Sequence, residues 1–390
     1  MPASSFPTPI FPVQTRLLIL SDTLGYAPMT AAEAKAAESA VINGLDARAL
    51  RNPSRFPDVQ NLPIGYREPL PEADVVIHCG DMSCDGKIED YRRTFEVLQK
   101  TKAPLTLVIA GHRDRPLDPA SRKQYERENP QMLLEVDAMI EQAKALKIFF
   151  LAEGTHEFRL TNGARLVVYA NPYSYTYRTQ TRAHRDWGAF QHDGQHAHSN
   201  PSSVDIVMTH CPPYGVLDNI NRSQRLGCHA LFHAIAAARP RIHCFGHVPQ
   251  GWGALLAKWH PREHTSQTEP HCTDFGSFLK ETLNQLALMR TPYDELPRYH
   301  GKRKRRICEM RDEQYVYIDV TKPRRFVPKE HTLFVNASIS DSKNKPHQRP
   351  FVIDILLDPA PALPGCESQL SASSDPEQSG EEEVGTEVGH

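Results

Sequence analysis

Short runs of apolar, largely β-branched residues recur along this chain, and several of them stop at a polar residue that can hold a metal or a proton. The stretch Asp74 to Ser83 (DVVIHCGDMS) shows the pattern most clearly. Val75, Val76 and Ile77 lead into Gly80-Asp81, as a buried parallel strand does when it closes in a tight turn. Arg16 to Ser21 (RLLILS) ends in Asp22, Leu105 to Ala110 (LTLVIA) in Gly111-His112-Arg113-Asp114, Val204 to Thr209 (VDIVMT) in His210, and Arg241 to Phe245 in Gly246-His247. Taken singly such a residue has a plain structural reading, since Asp81 could cap a helix over Cys84 to Lys100. Repetition changes the picture, because the loops leaving the carboxyl edge of an α/β sheet converge on one place.

Between these strands the apolar period lengthens to that of helices. Ile88 to Thr101, Gln131 to Leu146 and Gly227 to Arg239 read as amphipathic helices, and Leu133, Leu134, Val136, Met139, Ile140, Ala143 and Leu146 of the second are expected in the core. Ile148 to Ala152, Glu157 to Thr161 and Leu166 to Ala170 read as further strands, the last two joined at Asn162-Gly163. Thr332 to Ala337 and Pro350 to Leu356 read as two closing strands. Gly25 to Pro71 is a long excursion with an alanine-rich helix at Ala31 to Val41, and Lys258 to Pro328 is expected to be irregular. The organisation expected is an extension over 1–15, one α/β domain over 16–357 with insertions at about 25–70 and 258–328, and a disordered acidic tail over 358–390.

Composition narrows the class. At 390 residues, 39% hydrophobic and 24% charged, the chain can bury a large core. No apolar run reaches the roughly 18 residues of a membrane span, and the first residues carry no secretory pattern. The eight cysteines are scattered, with Cys79, Cys211 and Cys244 at strand ends, as expected of reduced thiols in the cytoplasm. The net charge of -2 hides an asymmetry: residues from Asp358 onward hold eight acids and no Lys or Arg, so the rest carries 45 basic against 39 acidic side chains. Lys302 to Arg306 (KRKRR) reads as an exposed loop or a nuclear import signal. His184, His192, His196 and His198 lie in a polar segment without regular ligand spacing and read as a solvated loop.

Asp22, Asp81, His112, His210 and His247 therefore form a candidate metal set, drawn from distant positions that only a sheet can bring together. Mixed aspartate and histidine ligands suit Mn, Fe or Zn better than Ca or Mg.

In order along the chain, LILSDT, VVIHCGDMS, LVIAGHRD, MTHCPPYGVLD, HCFGHVPQGWG and LFVNAS resemble the calcineurin-like metallophosphoesterase superfamily, in particular its eukaryotic metallophosphoesterase-domain-containing branch. The resemblance implies a four-layer α/β/β/α sandwich with a two-metal site at one end. Family members set their ligands in five blocks: D-x-H, GD, GNH with an acid, a lone H, and GHxH. On that pattern Asp22 is a ligand of the first metal, Asp81 the bridging carboxylate, and His210 and His247 ligands of the second metal. Leu24 and Pro249 stand where two histidines belong, His112 replaces an asparagine, and Arg113 replaces the histidine that protonates the leaving group.

The implied cofactor is thus one divalent ion, Mn, Fe or Zn, rather than two, held by Asp81, His112, His210 and His247. Asp22 is left as a residual ligand or a water-orienting group, and Arg113 becomes a phosphate clamp. The implied activity is a weakened hydrolase of a nucleotide or small phosphate ester, with a non-catalytic phosphate-binding protein as the alternative. Neither membrane nor nucleic acid is an expected partner. His78 and His243 read as packed histidines, and Asp114 as a group that orients a neighbour.

Overall fold

The computed structural model describes residues 11–34, 65–175, 190–192, 203–221, 224–259, 279–283, 314–323 and 326–361. Its centre is a pair of facing sheets. The first contains β1 (Val13–Leu20), β2 (Val75–His78), β3 (Leu105–Val108), β4 (Ile148–Phe150), β13 (Val316–Asp319) and β15 (Phe351–Leu357), in the spatial order β13-β15-β1-β2-β3-β4. The second contains β5 (Gly154–Arg159), β6 (Arg165–Asn171), β9 (Ile206–Thr209), β10 (Ile242–Phe245), β11 (Gly253–Trp259), β12 (Leu279–Leu283) and β14 (His331–Asn336), in the order β12-β11-β14-β10-β9-β6-β5. Two short strands, β7 (Ser174–Tyr175) and β8 (Gln191–His192), pair apart from both.

The alternation of side chains along each strand sorts them into layers. Leu17 and Ile19 of β1 pack between the sheets with Leu166, Val168 and Ala170 of β6, and with Ile206, Met208 and Ile242. Leu18 and Leu20 point the other way, into a cluster with Tyr91, Phe95 and Leu98 of α1 (Ile88–Lys100) and Val136 and Ala143 of α3 (Pro130–Ala145). On the far side Val167, Tyr169 and Val207 meet Leu231, Phe232 and Ile235 of α4 (His229–Ala238). Strands buried on both faces read as continuous apolar runs, which is why β1, β2, β3, β9 and β10 stand out in the sequence. The expected α/β/β/α layering is the one observed.

Leu134 and Leu146, expected in the core, are exposed at the helix surface. The two expected closing strands form, both in the interior of their sheets: β15 lies between β13 and β1, and β14 between β11 and β10. Sequence order held no hint of this, because β15 reaches its place by antiparallel pairing with the very first strand, Ile19 opposite Phe351. The stretch expected to be irregular from Lys258 contains the end of β11, all of β12 and β13; β13 alternates buried and exposed residues as an edge strand does. A further helix, α2 (Pro119–Glu128), has no buried residue and so no apolar period, yet Asp118 caps it by accepting from Ser121 N, with proline at its first position.

The Ala31–Val41 helix is described only as far as residue 34. Lys302–Arg306, His184, His196, His198 and the tail beyond residue 361 lie outside the described residues, as does the side chain of His192. Among the described residues no helix is long and apolar enough to cross a membrane.

Candidate metal centre

All five residues singled out at strand ends meet along one edge of the two sheets. Asp22 and Asp81 follow β1 and β2 of the first sheet, His112 follows β3, and His210 and His247 follow β9 and β10 of the second. Asp22, Asp81 and His247 have positive φ angles of 53°, 56° and 66°, a conformation that non-glycine residues adopt at a cost of roughly 1 kcal/mol or more each. The neighbouring glycines make room for them. A Cβ on Gly111 would lie 2.2 Å from Asp81 Oδ1, and one on Gly246 would lie 2.0 Å from Asp22 Oδ2.

His112 Nδ1 is the hub. It lies 3.1 Å from Asp81 Oδ2, 3.0 Å from His210 Nε2 and 3.1 Å from His247 Nδ1. His210 Nε2 is also 3.3 Å from Asp81 Oδ1. The other nitrogen of His210, Nδ1, sits 2.8 Å from the Cys79 carbonyl, which can only accept, so Nδ1 carries the proton and in the neutral ring Nε2 presents a lone pair to the cluster. A single proton on His112 Nδ1 could satisfy only one of its three neighbours. With the rings neutral, three imidazole nitrogens and a carboxylate this close turn lone pairs toward one another, a donor set that a divalent cation would fit.

Donor atoms of His112, His210 and His247 fall within 4.8 Å of one another, as do those of Asp22, Asp81 and His210. His210 is thus common to both groups. In the second group the Asp22 carboxylate is already engaged, both oxygens accepting the His247 backbone N–H at 3.1 Å.

Charge follows the same geometry. Burial opposes ionisation of Asp81, but His112, His210 and Arg113 outweigh it and hold the carboxyl well below its usual range. Burial also opposes charging of His210; Asp81 and Asp22 overcome it and raise that imidazole. Burial lowers His247, reinforced by the other two rings, and raises Asp22, reinforced by Asp81. Asp114, fully buried, is pushed up to about 6 by burial and by Asp81, against three backbone N–H groups that favour its ionised form.

Asp114 acts as the expected orienter. Its carboxylate accepts from Gly111 N at 2.8 Å, Ser83 N at 3.1 Å and Met82 N at 3.3 Å, clamping the loop that carries Asp81 to the loop that carries His112. Arg113 donates its backbone N–H to Asp81 Oδ1 at 2.9 Å. Its guanidinium reaches Cys84 O at 3.1 Å and Asn344 Oδ1 at 3.4 Å, with Nε 3.5 Å from Asp81 Oδ2. His78 and His243 are packed, as expected: His78 Nε2 lies 3.0 Å from Thr23 Oγ1, and His243 Nε2 lies 2.9 Å from Thr209 Oγ1. Cys79, Cys211 and Cys244 are buried thiols, not joined in disulfides.

A family model described as calcineurin-like phosphoesterase matches residues 15–251, which contain every one of these side chains except Asn344. The chain belongs to the calcineurin-like phosphoesterase family. Relatives include the UPF0046 protein T07D4.2 of Caenorhabditis elegans, 26% identical over 47% of this chain and 48% of its own, and the human metallophosphoesterase domain-containing protein 1, 42% identical over 14% of this chain and 18% of its own. A protein of Emericella nidulans named probable rhamnogalacturonate lyase C is 28% identical over 49% of this chain and 16% of its own length. The chain thus spans from about a sixth to about half the length of these relatives. Among solved structures, TT1561 of Thermus thermophilus is similar over 60% of this chain and 81% of that one, at 16% identity and a TM-score of 0.32.

Leu24, which the resemblance sets at the first block's histidine, is buried and at φ 51°, and Pro249, which it sets at the last block's second histidine, opens a single 3₁₀ turn, Pro249–Gly251. Sequence reading missed Asn344 and Cys84, the acceptors that aim Arg113. Cys84 acts through its backbone carbonyl, which no side-chain pattern reveals. Asn344 does sit in a legible turn signal, Asp341-Ser-Lys-Asn344.

Proposed function

We propose that this chain is a phosphoesterase whose metal centre is reduced to one divalent ion, acting slowly on a small phosphate ester or a nucleotide. The observation that carries the reading is the meeting of His112 Nδ1 with His210 Nε2, His247 Nδ1 and Asp81 Oδ2 at 3.0 to 3.1 Å. These four side chains would hold the ion, which when bound supplies Lewis-acid polarisation of a phosphoryl group. Asp22, buried and tied to His247 N, shapes the edge of the site. Arg113 supplies a fixed positive charge for the phosphate oxygens: its Nη1 faces Cys84 O and Sγ, one Nη2 N–H faces Asn344 and the Nε–H faces Asp81, which leaves the second Nη2 N–H for a ligand.

What the site lacks explains the expected slowness. Arginine stays charged near neutral pH and cannot hand a proton to a leaving alcohol. Losing a general acid costs roughly 10² to 10⁴ in rate, so esters whose alcohols leave without protonation should be hydrolysed best. The same two features, an anion-holding guanidinium and no proton donor, support the second reading, a protein that binds phosphate without cleaving it.

Metal content after purification, followed by turnover of an aryl phosphodiester with added Mn, Fe or Zn, tests the proposal. The expected result is about one ion per chain, slow turnover, and at least tenfold weaker metal retention in His112→Ala. Phosphate binding without turnover would favour the binder; no metal and no turnover with any of the ions would overturn the enzyme, and the further absence of any thermal stabilisation by phosphate or a nucleotide would overturn both.

A further inference from the structure

The turn that contacts Arg113 carries a second cation that the metal centre does not use. After β14 the chain makes a turn braced by Asp341, whose carboxylate accepts Lys343 N at 2.8 Å and Lys345 N at 2.9 Å and pairs with His347 Nδ1 at 2.8 Å. The backbone closes the same turn, with Asp341 N donating to Lys345 O at 2.8 Å and Asn344 N to Asp341 O at 2.9 Å. Asn344 adopts φ 57° and places its Oδ1 3.4 Å from the Arg113 guanidinium. The next residue, Lys345, is exposed and holds its ammonium 5.8 Å from the centroid of the Tyr26 ring.

These contacts form a circuit that starts and ends at Asp81. Asp81 touches Arg113, Arg113 touches Asn344, and Lys345 rests on Tyr26. Tyr26 N donates to Thr23 O at 2.8 Å, beside Asp22, and Asp22 N donates to Gly80 O at 2.9 Å, beside Asp81. Ser340 Oγ ties the start of the turn to Asp22 O at 2.7 Å. Among the described residues Lys345 makes no ion pair with a carboxylate. A cation held on an aromatic face, on a braced turn and without an anion, is positioned at little further entropic cost to a ligand. The turn also lies beyond the residues that the family model matches.

We infer that Lys345 is a second anion contact, so that the ligand of this site is a phosphate ester bearing a further anionic group, a second phosphoryl or a carboxylate, on the same molecule. This rests on the phosphoesterase reading: Arg113 and the metal centre take the phosphoryl group, and Lys345 takes the other charge. Lys345 is a specificity-determining residue, not a catalytic one.

The test is calorimetry on the full chain loaded with Mn, with three probes: propylphosphonate, and 4-phosphonobutyrate and propane-1,3-diphosphonate, which both separate their charged groups by three methylenes. At low salt the wild type should bind at least one of the two bifunctional probes about fivefold more tightly than propylphosphonate, the upper end for an exposed ion pair, and added salt should shrink the difference. Lys345→Gln should abolish the preference and leave propylphosphonate affinity unchanged, and Lys345→Arg should keep it. Which bifunctional probe is preferred identifies the second group. No preference in the wild type, or one that survives in Lys345→Gln, overturns the inference. Failure of inorganic phosphate and propylphosphonate alike to bind would instead remove the phosphoesterase reading beneath it.

Discussion

Both carboxylate oxygens of Asp22 accept the backbone N–H of His247 at 3.1 Å, so the end of β1 in one sheet is fastened to the end of β10 in the other. The bond does two things at once. It satisfies a buried carboxylate that burial and Asp81 hold above its usual pKa, and it fixes the left-handed turn at His247 that carries the imidazole to His112. Asp22 thus has a structural task of its own, independent of any metal.

Gly246 is the point at which that fastening can be tested. A Cβ there would lie 2.0 Å from Asp22 Oδ2 and 2.2 Å from Ser21 Oγ, so Gly246→Ala must push the carboxylate off the His247 N–H. We expect a loss of about 1–3 kcal/mol in stability together with at least tenfold weaker metal retention. Gly163→Ala is the control: Gly163 has φ 88° and open space around it, so its alanine should cost about 1 kcal/mol in backbone strain and leave metal retention unchanged. Equal metal retention in both variants, measured beside their melting curves, would show that Asp22 does not position His247.

The parts of the molecule that were legible in the sequence are those where local and tertiary demands coincide. β2 and β3 are apolar on both faces and stop at glycine, so their ends, and with them Asp81 and His112, could be located from pattern alone. The interior place of β15 could not, because its partner β1 is more than three hundred residues away and nothing local records the pairing. The helix α2 buries nothing and was invisible to periodicity, while its Asp118-Pro119 start was present in the sequence. At the site, residue identity predicted which groups meet but not which atoms face one another. That His112 turns Nδ1 inward, and that Asn344 reaches Arg113 from the last loop before β15, are properties of the assembled sheets.

Away from the site, the same first sheet carries an acid-sensitive tie. Asp354 on β15 accepts from Arg16 Nε at 2.7 Å, Arg16 Nη2 at 2.9 Å and Tyr317 OH at 2.8 Å, joining β1, β15 and β13. These bonds, Arg16 first, outweigh burial and hold the Asp354 carboxyl below its ordinary range. A carboxyl lowered on folding stabilises the protein above its unfolded pKa of about 3.9, and that contribution disappears as pH falls through the lower folded value. Arg16 is about half exposed, with 47% of its side chain accessible, so water screens the pair and the effect should be about 1–2 kcal/mol. Asp354→Asn should therefore melt roughly 2–4 °C lower than wild type at pH 7, with the gap closing below about pH 4. A gap that persists unchanged to pH 3 would assign the effect to packing.

The depleted half of the site makes the strongest claim on experiment. Leu24 is buried on the turn after Asp22, and Pro249 opens the 3₁₀ turn after His247, so the two positions that the family pattern fills with imidazole belong to the same two loops that the Asp22–His247 bond joins. On the proposed reading two carboxylates without those imidazoles would make a poor site for a transition metal, whereas Asp81 with the three histidines would offer four ligands. Replacing Leu24→His, Pro249→His, His112→Asn and Arg113→His together should raise metal content from about one ion per chain toward two, since Asp22, Asp81 and His210 already lie with donor atoms within 4.8 Å of one another. The histidine at 113 also restores a group able to give up a proton near neutral pH, so turnover of esters with poorly leaving alcohols should rise by roughly 10² or more. Metal analysis and turnover on the same preparation separate the two effects. Higher metal content without a faster reaction would show that proton donation at residue 113 is not what limits the native site, and unchanged metal content would mean that Leu24 and Pro249 do not occupy the missing ligand positions.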